Sequence, residues 1–226
     1  MDETRNPDLV LSGRFERALS KAVEYHGKQA RKGSGTPYVG HLLTVAGYVL
    51  EDGGSEDEAI AALLHDALED QYRDDLPDEL RADFGSDVLA IVEGCSQDKH
   101  PGETLAWHER KQRYIDHLAK APASVVRVSL ADKLANVRSM LRDHHQVGDD
   151  LWSRFNAPDR EAIVGYYREL EECYATKNPG PLADEFRNEV ERLAAMASAT
   201  SGQVGGPAFD RLASVAVGSK DPPGLG

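Results

Sequence analysis

The chain has 226 residues, 40% of them hydrophobic and 29% charged, which is enough for one sizeable core in an ordinary water-facing protein. A net charge of −13 argues against non-specific binding to nucleic acid or to an anionic membrane. No apolar run approaches the roughly 18 residues that span a bilayer. A phosphorylated small molecule remains compatible with this charge, because a metal and a few local cations can invert the field inside a cleft. Cys95 and Cys173 have no metal-ligand spacing, and the acidic, polar opening Met1–Asn6 is unlike a signal peptide. Both features point to a reducing cytoplasm.

Helical periodicity dominates and strand signals are scarce. Phe15, Ala18, Leu19, Ala22, Val23 and His26 recur at three- and four-residue spacing, which predicts a helix over 13–31 ending in the Gly- and Pro-rich loop Arg31–Pro37. A second helix is expected over 39–51, stopping at Asp52-Gly53-Gly54. Ser55 with Glu58 forms a capping-box pattern that opens a third helix, predicted to run to about Gln71–Asp75. Further helices are expected over 77–83, 86–95 and 103–120. After Pro122 comes a strongly apolar helix through Met140, whose Val125–Leu130 stretch could pass for a strand by composition. Two more helices are expected over 159–175 and 182–197. Residues 1–12 read as an extension, 13–197 as the folded domain, and 198–226 as a flexible Gly/Ser/Pro-rich tail. The fold class is all-α.

Within the third helix lies Leu64-His65-Asp66-Ala67-Leu68-Glu69-Asp70. His65 and Asp66 form a metal-binding dyad, and Glu69-Asp70 repeats an acidic presentation one turn later. The flanking positions are apolar, so these ionisable groups are costly to bury unless a metal or paired charges compensate them. His41 and Asp132 are likewise polar residues set in hydrophobic patterning. Together the four offer two imidazoles and two carboxylates, a set suited to Mn²⁺, Fe²⁺ or Co²⁺ rather than to the thiolate sites of structural zinc.

With these residues in view, the chain resembles the HD phosphohydrolase superfamily. Arg31-Lys32, Thr36-Pro37-Tyr38-Val39-Gly40-His41, Ala61–Asp70 and Leu130-Ala131-Asp132-Lys133-Leu134-Ala135-Asn136 are similar to the hydrolase domain of RelA/SpoT-type proteins. The motifs cover about residues 14–175, so the whole chain looks like the stand-alone small alarmone hydrolases, which include the metazoan SpoT homologue. The resemblance implies a helical bundle of roughly eight to ten helices around one mononuclear metal site. It also implies removal of the 3′-pyrophosphate from guanosine tetra- or pentaphosphate, usually with Mn²⁺; Mg²⁺ stays open beside Fe²⁺ and Co²⁺. His41, His65, Asp66 and Asp132 are then the metal ligands. Glu69 is the preferred general base and Asp70 orients water, in keeping with carboxylate-assisted attack at a metal site. Arg31 is the candidate to stack on a base, Lys32 to pair with phosphate, and Tyr38 to wall the pocket. Asn136 is placed near ribose and metal, with Ser139, Arg138 and Arg142 extending the same helix toward the nucleotide.

Tyr166 and Tyr167 read as core, and Trp107 and Trp152 as packing anchors. The chain departs from the family at Leu42, where proline is usual, and over residues 94–103, so the nucleobase is open. NADPH or an adenosine alarmone as substrate, and a non-catalytic nucleotide-binding regulator, are the alternatives. The partner expected is a small phosphorylated nucleotide, with no nucleic acid and no membrane; the oligomeric state is not read from the sequence.

Overall fold

The computed structural model describes residues 11–31, 34–96 and 105–199. Lys32, the expected phosphate contact, lies outside the described residues, as do residues 1–10 and 200–226. Among the described residues there are ten α-helices and no β-strand, with one isolated bridge between Ala30 and Pro37.

Helix α1 (Gly13–His26) is opened by the Ser12 hydroxyl, which accepts from the Arg14 amide, and it stops before Gly27. It is shorter than its periodicity suggests because the following backbone pairs with itself. The Tyr38 amide donates to the Gln29 carbonyl and the Arg31 amide to the Thr36 carbonyl, so residues 29–31 pair with residues 36–38. Helix α2 (Val39–Glu51) follows. The turn into helix α3 (Glu56–Leu64) uses Gly53 at φ +74°, a left-handed conformation that glycine adopts without a Cβ penalty. The capping box forms as the sequence suggests: Ser55 Oγ accepts from the Glu58 amide at 3.3 Å, and Glu58 Oε2 accepts from the Ser55 amide at 2.7 Å. Every side chain from Ala59 to Leu64 is fully buried, with α1, α2, α6 and α8 packed around it.

The single helix expected from Ser55 to residues 71–75 is broken. α3 ends at Leu64, His65 and Asp66 form a turn, and the four-residue helix α4 (Ala67–Asp70) follows. A local cause is visible. The His65 ring donates from Nδ1 to the Ala62 carbonyl at 2.8 Å, taking the acceptor that the Asp66 amide would use in a continuous helix. The break matters for the site, because neighbouring residues on an unbroken helix diverge by about 100°.

Helices α5 (Leu76–Phe84), α6 (Ser86–Cys95) and α7 (Trp107–Leu118) lead to α8 (Ala123–Val147), a 25-residue rod. At 1.5 Å per residue it is about 37 Å long. Val125, Val126, Val128 and Leu130 are buried inside it, so packing on both sides overrides their β-branched preference. α6 comes close to α8 at Gly94, where a Cβ would lie 2.7 Å from a Val125 methyl carbon. After α8 comes a 3-10 segment (Gly148–Arg154) that no periodicity signals, then α9 (Arg160–Lys177) and α10 (Pro181–Ser198), which pack on each other and on α8. α8 also contacts α2, α3 and α6, which makes it the axis on which the site is built. No helix among the described residues is long and apolar enough to cross a membrane.

Candidate active site

Three elements converge on one buried point. His41 comes from the first turn of α2, His65 and Asp66 from the turn between α3 and α4, and Asp132 from the middle of α8. One ligand atom each from His41, His65 and Asp132 lie within 4.8 Å of one another. His41 Nε2 is 3.1 Å and His65 Nε2 3.6 Å from Asp132 Oδ1, while Asp66 Oδ2 is 3.0 Å from His65 Nε2 and 3.8 Å from His41 Nε2. The helix break therefore turns two adjacent side chains toward the same point.

Buried carboxylates need compensation, since an unpaired one costs several kcal/mol. Asp132 receives it from α8 itself: Lys133 Nζ is 2.5 Å from Oδ2, and Asn136 Nδ2 donates to Oδ1 at 2.6 Å. The Tyr38 hydroxyl donates to Asp66 Oδ2. Burial opposes charge on Asp132, but the Lys133 ammonium and the facing imidazoles outweigh it and hold the carboxyl well below its ordinary range. Burial opposes charge on Asp66 as well, and His65 again prevails, so this carboxyl too stays ionised. The His41 imidazole is pulled down by burial, against the bond to Asp132. His65 is also deeply buried, yet the carboxylates of Asp66 and Asp132 raise it well above the usual imidazole value.

These donors fit a divalent metal. The Nδ1–H bond to the Ala62 carbonyl orients the His65 ring and turns Nε2 toward the cluster, where a bound metal would take the place of the Nε2 proton, the usual arrangement of a metal-ligating histidine. That Nε2 is buried and has no hydrogen bond of acceptable geometry despite the nearby carboxylates. Two imidazole nitrogens with carboxylate oxygens form a mixed borderline and hard set without thiolate. The nearest cysteine thiol in sequence terms, Cys95, donates instead to the Val125 carbonyl.

Beside the cluster opens a cavity of about 430 Å³. Arg31, Tyr38, Asn136 and Ser139, all named from the sequence, line it. Arg31 donates to Asn136 Oδ1 at 2.7 Å and sits 5.8 Å over the Tyr38 ring, which ties the loop after α1 to both metal-side carboxylates. Glu69 and Asp70 part company. Glu69 is half-buried, and its charge favours the protonated forms of Lys111 and Tyr166, two residues of the cavity wall, although it does not itself line the cavity. Asp70 is exposed and accepts from Gln29 Nε2 at 2.7 Å.

Several expectations need correction. Arg138 does not face the nucleotide pocket; it bonds Tyr48, Glu185 and Glu189, because its position on α8 points to α2 and α10. Arg142 is exposed and only reaches Ser139 at 3.3 Å. Tyr166 and Tyr167 are buried as core residues, yet they also wall the cavity, and Trp107 joins them with its ring 6.0 Å from Tyr166. Sequence reasoning missed the cations Lys111, Lys133 and Arg154 and the carboxylate of Asp143, all in the cavity lining. Lys133 carried a signal, as a lysine inside an apolar stripe beside Asp132. Lys111 carried none, since α7 is rich in charge throughout.

Residues 18–160 match the HD domain family. This chain belongs to it. Among curated relatives of this HD protein, the guanosine-3′,5′-bis(diphosphate) 3′-pyrophosphohydrolase MESH1 of Xenopus tropicalis is 40% identical over 128 residues, 55% of this chain and 68% of that one. The Homo sapiens protein of the same name is 34% identical over 165 residues, 69% of this chain and 88% of its own length. A solved structure described as a metazoan ortholog of SpoT that hydrolyzes ppGpp and plays a role in starvation responses shares the fold with a TM-score of 0.65 at 28% identity. It aligns with 82% of this chain and 97% of its own. A crystal structure from Listeria monocytogenes matches with a TM-score of 0.59, also at 28% identity, over 68% of this chain and 97% of its own. The chain thus covers 68–88% of these two curated relatives and 97% of both solved structures.

Proposed function

We propose that this HD-domain protein is a Mn²⁺-dependent hydrolase that removes the 3′-pyrophosphate from guanosine tetra- and pentaphosphate, leaving GDP or GTP. The observation that carries the reading is a continuous rail on α8. Asp132, Asn136, Ser139 and Asp143 fall at i, i+4, i+7 and i+11, one stripe of the helix, and lead from the buried cluster along the cavity. The stripe spans about 16 Å at 1.5 Å per residue, a length suited to a nucleoside polyphosphate. Cations and aromatic rings along the wall suit phosphates and a base. The printed activity of the MESH1 relatives supports the same substrate class.

His41, His65, Asp66 and Asp132 would hold the metal, which when bound lowers the pKa of water and polarises a phosphoryl oxygen. Glu69 takes the proton from the attacking water. The water oxygen bonds to the phosphorus attached at the 3′ position, and the bond from that phosphorus to the 3′-oxygen breaks. The departing oxygen takes up a proton to become the 3′-hydroxyl. Lys111 and Lys133 pair with the phosphates of the bound substrate, and Arg31 stacks on the base while its bond to Asn136 holds it in place. Asp70 orients water from the outer side. A reducing cytoplasm suits the free thiols of Cys95 and Cys173.

Incubating the Mn²⁺-loaded protein with ppGpp and, separately, with NADPH tests this directly by mass analysis of products. Pyrophosphate with GDP is the expected result. Orthophosphate with NADH, and no pyrophosphate from ppGpp, would replace the guanosine substrate with the dinucleotide.

A further inference from the structure

Asp70 sits at the end of a four-residue helix and is exposed, a position in which a carboxylate would ordinarily sample several rotamers. It is instead tethered. Gln29 Nε2 donates to Asp70 Oδ2 at 2.7 Å, and Gln29 Oε1 lies 2.7 Å from Nδ1 of His26. His26 is wholly buried, and its other ring nitrogen, Nε2, is buried with no hydrogen-bond partner. Its ring lies against that of Tyr38, 5.4 Å between centroids, and Tyr38 in turn bonds Asp66.

These contacts fix the polarity of the chain. Gln29 can donate to Asp70 only if its amide oxygen faces His26, and that oxygen needs a donor, so the His26 proton is on Nδ1. The tautomer leaves only a lone pair on the buried Nε2, which explains why that atom tolerates having no acceptor. Turning the amide over would set its oxygen against the Asp70 carboxylate and its NH₂ against the imidazole N–H, losing both bonds. The backbone of Gln29 is held as well: its amide donates to the His26 carbonyl and its carbonyl accepts from Tyr38, each at 2.9 Å.

We propose that Gln29, oriented by His26, is the positioning residue that holds Asp70 in the geometry needed to orient the attacking water. The relay runs from a buried imidazole through a rigidly placed amide to an otherwise mobile carboxylate. It occupies Oδ2 and leaves Oδ1 for water. Neither His26 nor Gln29 touches substrate. The inference rests on the reading of Asp70 as the water-orienting carboxylate, and its test keeps the two apart.

The test is a double-mutant cycle on the Mn²⁺-loaded protein with ppGpp, using Gln29→Met, Asp70→Asn and the pair. Methionine keeps the length of glutamine and removes both amide groups. Gln29→Met is expected to lower kcat about tenfold with KM changed less than about twofold, and to have under about a twofold further effect when Asp70 is already asparagine. A purely structural role for Gln29 would lower kcat equally in both backgrounds, and that result overturns the relay. If Asp70→Asn alone leaves kcat unchanged, the reading of Asp70 falls and takes the relay with it. A second measurement needs neither turnover nor a variant: ¹⁵N NMR of the intact protein should show a proton on Nδ1 of His26. An unprotonated Nδ1 would contradict the proposal whatever the kinetics.

Discussion

At the metal end of the cavity, His41, His65, Asp66 and Asp132 come from well-packed elements, and each carboxylate has a donor supplied by the fold. Asp132 has Lys133 and Asn136, Asp66 has Tyr38, and the His65 ring is locked by a backbone carbonyl. At the other end, the wall is collected from α7, the 3-10 segment and α9, and its polar groups are only partly matched. Burial and the neighbouring charges of Lys133 and Arg110 bring Lys111 down to about 8. The Tyr166 hydroxyl is buried with no hydrogen-bond partner. Asp143 and Arg154 pair with each other at 3.2 Å. The contrast separates chemistry from recognition: one end is preorganised without a ligand, while the other keeps polar capacity that a phosphorylated ligand can use.

Changes at the two ends should therefore fail differently. The largest effect is expected from Asp132→Ala or His65→Ala, which should abolish turnover and stoichiometric Mn²⁺ binding by calorimetry; a variant that still binds one Mn²⁺ tightly would separate that residue from the metal. Adding a chelator to the unmodified protein should reproduce the loss, and Mn²⁺ should restore activity. Next, Glu69→Gln should lower kcat by about 10² to 10⁴ while Mn²⁺ affinity stays unchanged, the signature of a lost general base. Equal loss of metal binding would move Glu69 into the ligand set.

At the recognition end the expected effects are on KM. Lys111→Met should raise KM for ppGpp about tenfold with little change in kcat, since a charged hydrogen bond contributes about 1.5–3 kcal/mol. The pH dependence has a definite sign. The ammonium form binds phosphate, and it is present below the Lys111 pKa of about 8 and lost above it, so KM should rise as pH passes about 8. Lys111→Met should flatten that rise; an unchanged profile would assign it to another group. The smallest effect is expected from Tyr166→Phe. Removing a buried, unpartnered hydroxyl should leave the melting temperature equal or slightly higher while weakening KM a few-fold. An unchanged KM would make Tyr166 core alone.

The same contrast governs what could be read from the chain before its structure. The metal end is local in sequence: a dyad, an acidic pair one turn on, a histidine opening α2 and an aspartate in an apolar stripe all break a hydrophobic pattern, and a broken pattern is visible. α2, α6 and the α3 capping box follow directly from periodicity and cap chemistry. The interruption of α3 after Leu64 was not visible, because its cause is a side-chain bond from His65 to a carbonyl three residues earlier. The cavity wall was hidden for another reason. Lys111, Arg154 and Tyr166 meet only through the packing of α7, the 3-10 segment and α9 around α8, and nothing local distinguishes a lysine that will be buried there from its charged neighbours. Arg138 illustrates the converse: its spacing from Asp132 placed it near the site, and a rotation along the helix sends it to α10.

Cleavage of ppGpp in ¹⁸O-labelled water tests most directly whether the buried cluster and Glu69 direct water to phosphorus. The expected result is one ¹⁸O in the released pyrophosphate and none in GDP. Label at the 3′-hydroxyl of GDP, or release of labelled orthophosphate without pyrophosphate, would contradict the assignment of the site.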